Sequence, residues 1–100
     1  MKIPKRIKVG KTWYDIDQVK HMQSRGKMGA TWYDLNLIDI ATHSNISGRR
    51  FKKEEVSDTF WHELTHAILK DMGSKLEADE KFVTAFSERL NNAINSARFN

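Results

Sequence analysis

The period of the apolar positions changes once along the chain. Up to about Thr42 they come in short runs separated by turn residues, and from about Lys52 they recur every three or four residues. Over Lys5 to Val9 basic and apolar residues alternate, Gly10-Lys11 supplies a turn, and Thr12 to Ile16 is β-branched and aromatic; together these predict a hairpin. Asp17 to Met22 suits either a helical turn or a third strand, and Ser24 to Gly29 breaks the pattern with two glycines. Ala30 to Tyr33 and Leu37 to Thr42 read as two further strands with a bend at Asp34 to Asn36. Ile38 and Ile40 would share one face, with Leu37, Asp39 and Ala41 on the other, and the strand is expected at an edge of the sheet. His43 to Arg50 reads as a polar loop.

Between Lys52 and Met72 there is no Gly or Pro, and Val56, Phe60, Leu64, Ala67, Ile68 and Met72 form a helical stripe that Gly73 should stop. Ser74 to Glu77 has the form of a capping box, opening a second helix over about 75–97 with Phe82, Val83, Phe86, Leu90, Ala93, Ile94 and Ala97 as its apolar stripe. A short Gly-Ser turn between them predicts an antiparallel helix pair. The expectation is one α+β domain over residues 1–100, with a small, mostly antiparallel sheet (about 5–42) followed by helices at about 52–72 and 75–97.

Composition narrows what such a domain can do. One hundred residues with 39% apolar content support a single thin core, for which a metal or a partner would be useful extra support. There is no cysteine, which excludes disulfides, thiolate zinc sites and cysteine nucleophiles and fits a reducing compartment. No secretory signal and no membrane-length apolar run is read, so the expected location is the cytoplasm, with no membrane partner. The net charge of +4 is unevenly placed: residues 1–55 hold 12 Lys/Arg against 6 Asp/Glu, and residues 56–100 hold 5 against 7. Nucleic acid could use the basic half, where Trp13 and Tyr14 lie among cations. No nucleic-acid fold signature supports that reading, and solvated basic faces are the simpler account.

The chemistry sits on the first helix as His62-Glu63-Leu64-Thr65-His66, an HExxH pattern. Histidines four apart are about 40° apart around a helix, so both imidazoles reach one point beside it, a geometry suited to Zn²⁺. Glu63 lies about 60° from His66, poorly placed as a ligand but able to act as general base on a water at that point. A third ligand must come from the acidic residues that follow. Asp71 is on the same rigid helix and cannot fold back, Glu77 is wanted by the capping box, and Asp79 falls in the apolar stripe or serves as an N-cap. Glu80, at the border of that stripe, is favoured, with Glu77 and Asp79 behind it. His21 and His43 read as loop or surface residues, Tyr33 as a packing residue, and Trp13, Trp32 and Trp61 as core or interface residues.

The run Thr59 to Leu69, then Met72-Gly73, then Asp79-Glu80-Lys81-Phe82-Val83, resembles small phage and prophage metallopeptidase-like proteins related to the ImmA/IrrE-type zincins. The resemblance spans about residues 55–95 and is weaker over Gly29 to Ala41. It implies a minimal gluzincin-like fold, zinc held by His62, His66 and Glu80, and proteolysis by a small domain acting on a protein or peptide substrate. The helix-turn-helix and sensor domain of larger members are not read in these residues. Two other classes compete: a non-catalytic zinc-stabilised protein whose basic half binds DNA or an acidic partner, and a SprT-like protease acting near DNA.

Overall fold

The computed structural model describes residues 2–100 and has an α+β architecture. Its elements are β1 (Arg6–Val9), β2 (Thr12–Val19), β3 (Gly29–Trp32), β4 (Leu37–Ala41), α1 (Lys53–Asp71), a single 3-10 turn (Lys75–Ala78) and α2 (Glu80–Ser96). Gly10 turns the β1–β2 hairpin at φ +60°, a backbone state that glycine tolerates, and a side chain there would collide with the Asp71 carboxylate. The hairpin therefore abuts the end of α1. Asp17 to Val19 continue β2, which settles the segment that suited either a helical turn or a strand.

The four strands lie in the order β1-β2-β4-β3. β1 and β3 run antiparallel to their neighbours, but β2 and β4 are parallel, with Ile16 opposite Ile38. This makes the sheet mixed, and it corrects the position expected for β4. β4 is an inner strand; the outer strands are β1 and β3. The reason is topological: the chain leaves β2, passes through the Lys20–Met28 loop, lays down β3 outermost, and turns at Tyr33 to Asn36 to fill the gap with β4.

Period-two alternation decides the faces. Val9, Tyr14, Ile16, Ile38 and Ile40 project from the sheet onto Phe60, Leu64 and Ala67 of α1, and these eight residues form the buried core. On the opposite face stand Trp13, Asp15, Asp17, Trp32 and Asp39. Trp13 and Trp32 are thus largely exposed rather than core residues. Arg6 covers the Trp13 ring at 4.7 Å and pairs with Asp15 at 3.3 Å.

The helices depart from their apolar stripes. Toward the end of α1 it is Leu69 that is buried, while Ile68 and the C-cap Met72 are exposed. The second helix begins five residues later than expected, because Ser74 caps only the 3-10 turn, accepting from the Leu76 N–H at 3.2 Å, and Asp79 caps α2 through the Phe82 N–H at 3.0 Å. On α2 the buried residues are Val83, Ser87 and Asn91, while Phe86 and Ile94 are exposed. This face is turned about 80° from the centre of the apolar stripe. Ser57 of α1 donates to Asn91 Oδ1 at 2.7 Å and fixes that rotation at one end.

At its start, α1 is held by charge. Lys52 has no acceptor to offer, so only the reciprocal half of a capping box forms: Glu55 Oε1 accepts the Lys52 N–H at 2.9 Å. Arg49 grips the same carboxylate with its two terminal guanidinium nitrogens, at 3.0 and 3.1 Å. These bonds, Arg49 first, hold the Glu55 carboxyl down at about 2, against an ordinary 4.5. A depressed folded-state value stabilises above the unfolded value, and the gain is lost as pH falls toward the folded one. Glu55→Gln is expected to cost roughly 0.5–1 kcal/mol near pH 7, the pair being partly exposed. The gap between variant and parent should narrow as urea melts are repeated from pH 5 down to 3 and vanish only toward pH 2; a constant gap would rule out this account.

Candidate metal centre

A 19-residue helix carries the first three functional side chains. His62 and His66 sit one turn apart with ring centroids 5.1 Å apart, and their Nε2 atoms converge on the first turn of α2. There Glu80 reaches both: Oε2 is 3.1 Å from His62 Nε2 and Oε1 is 2.7 Å from His66 Nε2. One donor atom from each of the three residues lies within 4.8 Å of the other two. His66 is buried, His62 half-buried and Glu80 exposed. Bonds of ~2.0–2.2 Å to zinc need donors a little over 3 Å apart, so these residues fit a cation after small rotations. Two imidazoles and one carboxylate leave one coordination position open.

Rotation of α2 makes this possible. Glu80, Val83, Ser87 and Asn91 follow the i, i+3, i+7, i+11 spacing of one helix face, so the turn that buries Val83 also points Glu80 at the histidines. The other acidic candidates are placed elsewhere. Asp79 is engaged as the N-cap of α2, and Asp71 lies against the β1–β2 turn. Glu77 approaches the opposite edge of the His66 ring, with Oε1 3.5 Å from Nδ1, and stands outside the group of converging donors.

Glu63 is buried beside this group. Its Oε1 accepts a hydrogen bond from the Thr31 hydroxyl at 2.9 Å, and the same hydroxyl lies 3.1 Å from the Glu63 carbonyl oxygen. The general-base candidate is therefore held from the outer strand. Close approach of that strand depends on Gly29: a Cβ there would stand 2.6 Å from Thr59 Cγ2, 3.0 Å from the Asp39 carbonyl oxygen and 3.2 Å from Glu63 Cγ.

Gly29, Thr31 and Tyr33 alternate toward α1, and the sequence alone assigns none of the three to the site. The Tyr33 hydroxyl donates to Glu77 Oε1 at 2.6 Å. Burial, and next the hydrogen bond to Glu77, push the Tyr33 phenol well above its ordinary range, so it remains a donor. A period-two reading of the strand does put these three residues on one face. That this face meets α1 is a tertiary fact with no local signal.

At the other end of the cleft, burial and then the nearby Glu88 charge raise the Asp58 carboxyl, while His62 opposes them. His21 and His43 face each other at 6.0 Å and line neither of the hollows that contain His62.

Gly29→Ala is expected to destabilise the fold by about 1–3 kcal/mol, because backbone and a helix-borne methyl cannot both retreat. Urea titration measures this directly, and a change within 0.5 kcal/mol of zero would show that β3 is free to shift. Compared with protein-family models, with curated proteins and with solved structures, nothing matches this chain.

Proposed function

We propose that this chain is a small zincin-like metallopeptidase domain, with Zn²⁺ held by His62, His66 and Glu80 and with Glu63 as general base. The observation that carries the reading is the buried Glu63 carboxylate, outside the ligand group yet adjoining it and oriented by Thr31. A site that served only to hold metal would need the two histidines and Glu80 and would have no use for a positioned base. The resemblance of residues 55–95 to phage and prophage metallopeptidase-like proteins leads to the same assignment. A cysteine-free chain with this resemblance suits the cytoplasm as its place of action.

A divalent cation in such a site supplies Lewis acidity toward a carbonyl oxygen and a water. Glu63 accepts the proton that water gives up as its oxygen bonds to the peptide carbonyl carbon. The same carboxyl then hands that proton to the leaving amine as the C–N bond breaks. Thr31 keeps Glu63 Oε1 engaged, which leaves Oε2 for proton transfer. As the outer strand beside the cleft, β3 is where an extended substrate would add by main-chain pairing. A nucleic-acid role is less favoured, since the Trp13 ring is already covered by Arg6, with Lys8 at 5.9 Å.

The test is metal content alongside cleavage of a mixed peptide library. The parent should bind one zinc per chain, and His62→Ala, His66→Ala and Glu80→Ala should each lose most of it. Glu63→Gln should keep the zinc and lose cleavage by about 10²–10⁴-fold. Equal cleavage by Glu63→Gln and parent would sink the catalytic reading in favour of a structural or binding role for the metal. Full zinc occupancy in Glu80→Ala would remove Glu80 as a ligand.

A further inference from the structure

The two nitrogens of His66 face two different carboxylates. Nε2 looks toward Glu80, whereas Nδ1 is shut off from solvent, has no hydrogen-bond partner within reach, and has Glu77 Oε1 as its nearby acceptor at 3.5 Å. Glu77 is itself constrained. It sits on the 3-10 turn capped by Ser74, and the Tyr33 hydroxyl donates to its Oε1 at 2.6 Å. Tyr33 follows the outer strand, with Lys70 Nζ 5.2 Å over its ring, so this contact ties the turn before α2 to the sheet.

A neutral imidazole carries one proton. When the Nε2 lone pair is given to a cation, the proton must be on Nδ1, and a buried N–H without an acceptor is costly. At 3.5 Å the Glu77 oxygen needs a shift of only about 0.5 Å to accept it. A carboxylate in that place fixes the tautomer, orients the ring and makes Nε2 a stronger donor to metal. Glu77 cannot do this and also ligate the cation in the present arrangement, because it meets the ring on the edge away from Glu80.

Building on the metal-site reading above, we propose that Glu77 is a positioning residue for the metal centre: it accepts the His66 Nδ1–H, with Tyr33 holding its carboxylate in place. The contribution is to metal affinity, exerted through His66, with no contact to substrate.

Co²⁺ titration of the full chain, followed by visible absorption and by Zn²⁺ competition, tests this without any assay of activity. Glu77→Ala is expected to weaken binding about 10–100-fold while leaving the absorption bands of the bound Co²⁺ in place, since the ligands are unchanged. Glu77→Gln, which retains a neutral acceptor oxygen, should recover part of that loss, and it carries the test if Glu77→Ala fails to fold. Tyr33→Phe should weaken binding severalfold in the parent and have no further effect once Glu77 is alanine.

Three results would overturn the proposal. Binding by Glu77→Ala within twofold of the parent would remove the role of Glu77 alone. Loss of the Co²⁺ bands in Glu77→Ala, as in Glu80→Ala, would make Glu77 a ligand. A parent that binds neither Co²⁺ nor Zn²⁺ would take down the metal-site reading, and this proposal with it.

Discussion

The angle at which α2 lies on α1 is the constraint on which the rest of the structure depends. Polar contacts at both ends set it: Glu80 against His62 and His66 at one end, and Asn91 against Ser57 at the other. Between them only Val83 contributes a wholly buried apolar side chain. A helix free to follow its hydrophobic stripe would bury Phe86 and Ile94, each worth about 1.5–3 kcal/mol when fully removed from water. The observed rotation forgoes much of that and gains a buried hydrogen bond worth about 1 kcal/mol. Apolar burial alone would not choose this arrangement; the polar contacts of Glu80 and Asn91 do.

The sheet contributes to the same end from the opposite side of α1. Gly29 lets the outer strand come within side-chain reach of the helix, and the next two residues on that face are polar and aimed at the site: Thr31 at Glu63, Tyr33 at Glu77. β3 and the residue after it therefore restrain Glu63 directly and reach toward His66 through Glu77. Because β3 is also an edge, anything that pairs with it lies alongside the groups it restrains. Substrate binding and site geometry would then be mechanically connected through four residues.

How much of this was legible in the sequence depended on how local each feature is. His62, Glu63 and His66 lie within one helical turn and a half, so their convergence follows from the helix period, and Glu80 was reachable by elimination among four nearby carboxylates. The α+β class and the strand positions followed from the change of apolar period. Sheet order was not legible, since nothing local in Leu37 to Ala41 tells an inner parallel strand from an outer antiparallel one. The start of α2 was misplaced because Ser74-x-x-Glu77 and Asp79 both look like helix caps five residues apart, and the first closes only a 3-10 turn. The same pattern claims Glu77 for a capping box. Its proximity to His66 arises from the folded position of the turn and Tyr33, and no spacing rule encodes it.

For so thin a core, the domain buries many polar residues. Ser57, Thr59, Glu63, Thr65, His66, Ser87 and Asn91 are all buried; Ser57, Ser87 and Asn91 lie where α1 and α2 meet, and Thr59, Glu63 and His66 line the cleft. Each displaces an apolar side chain that a 100-residue domain could use. A cation joining His62 and His66 of α1 to Glu80 of α2 would offset part of that deficit, because a ligand that binds only the folded state adds about 4 kcal/mol at a thousand times its dissociation constant. The stabilisation would act at the helix pair, where apolar burial is least. The rotation of α2 gives up hydrophobic contact at the place where a bound cation would add contacts of its own, and domain stability would then rise with occupancy of that site.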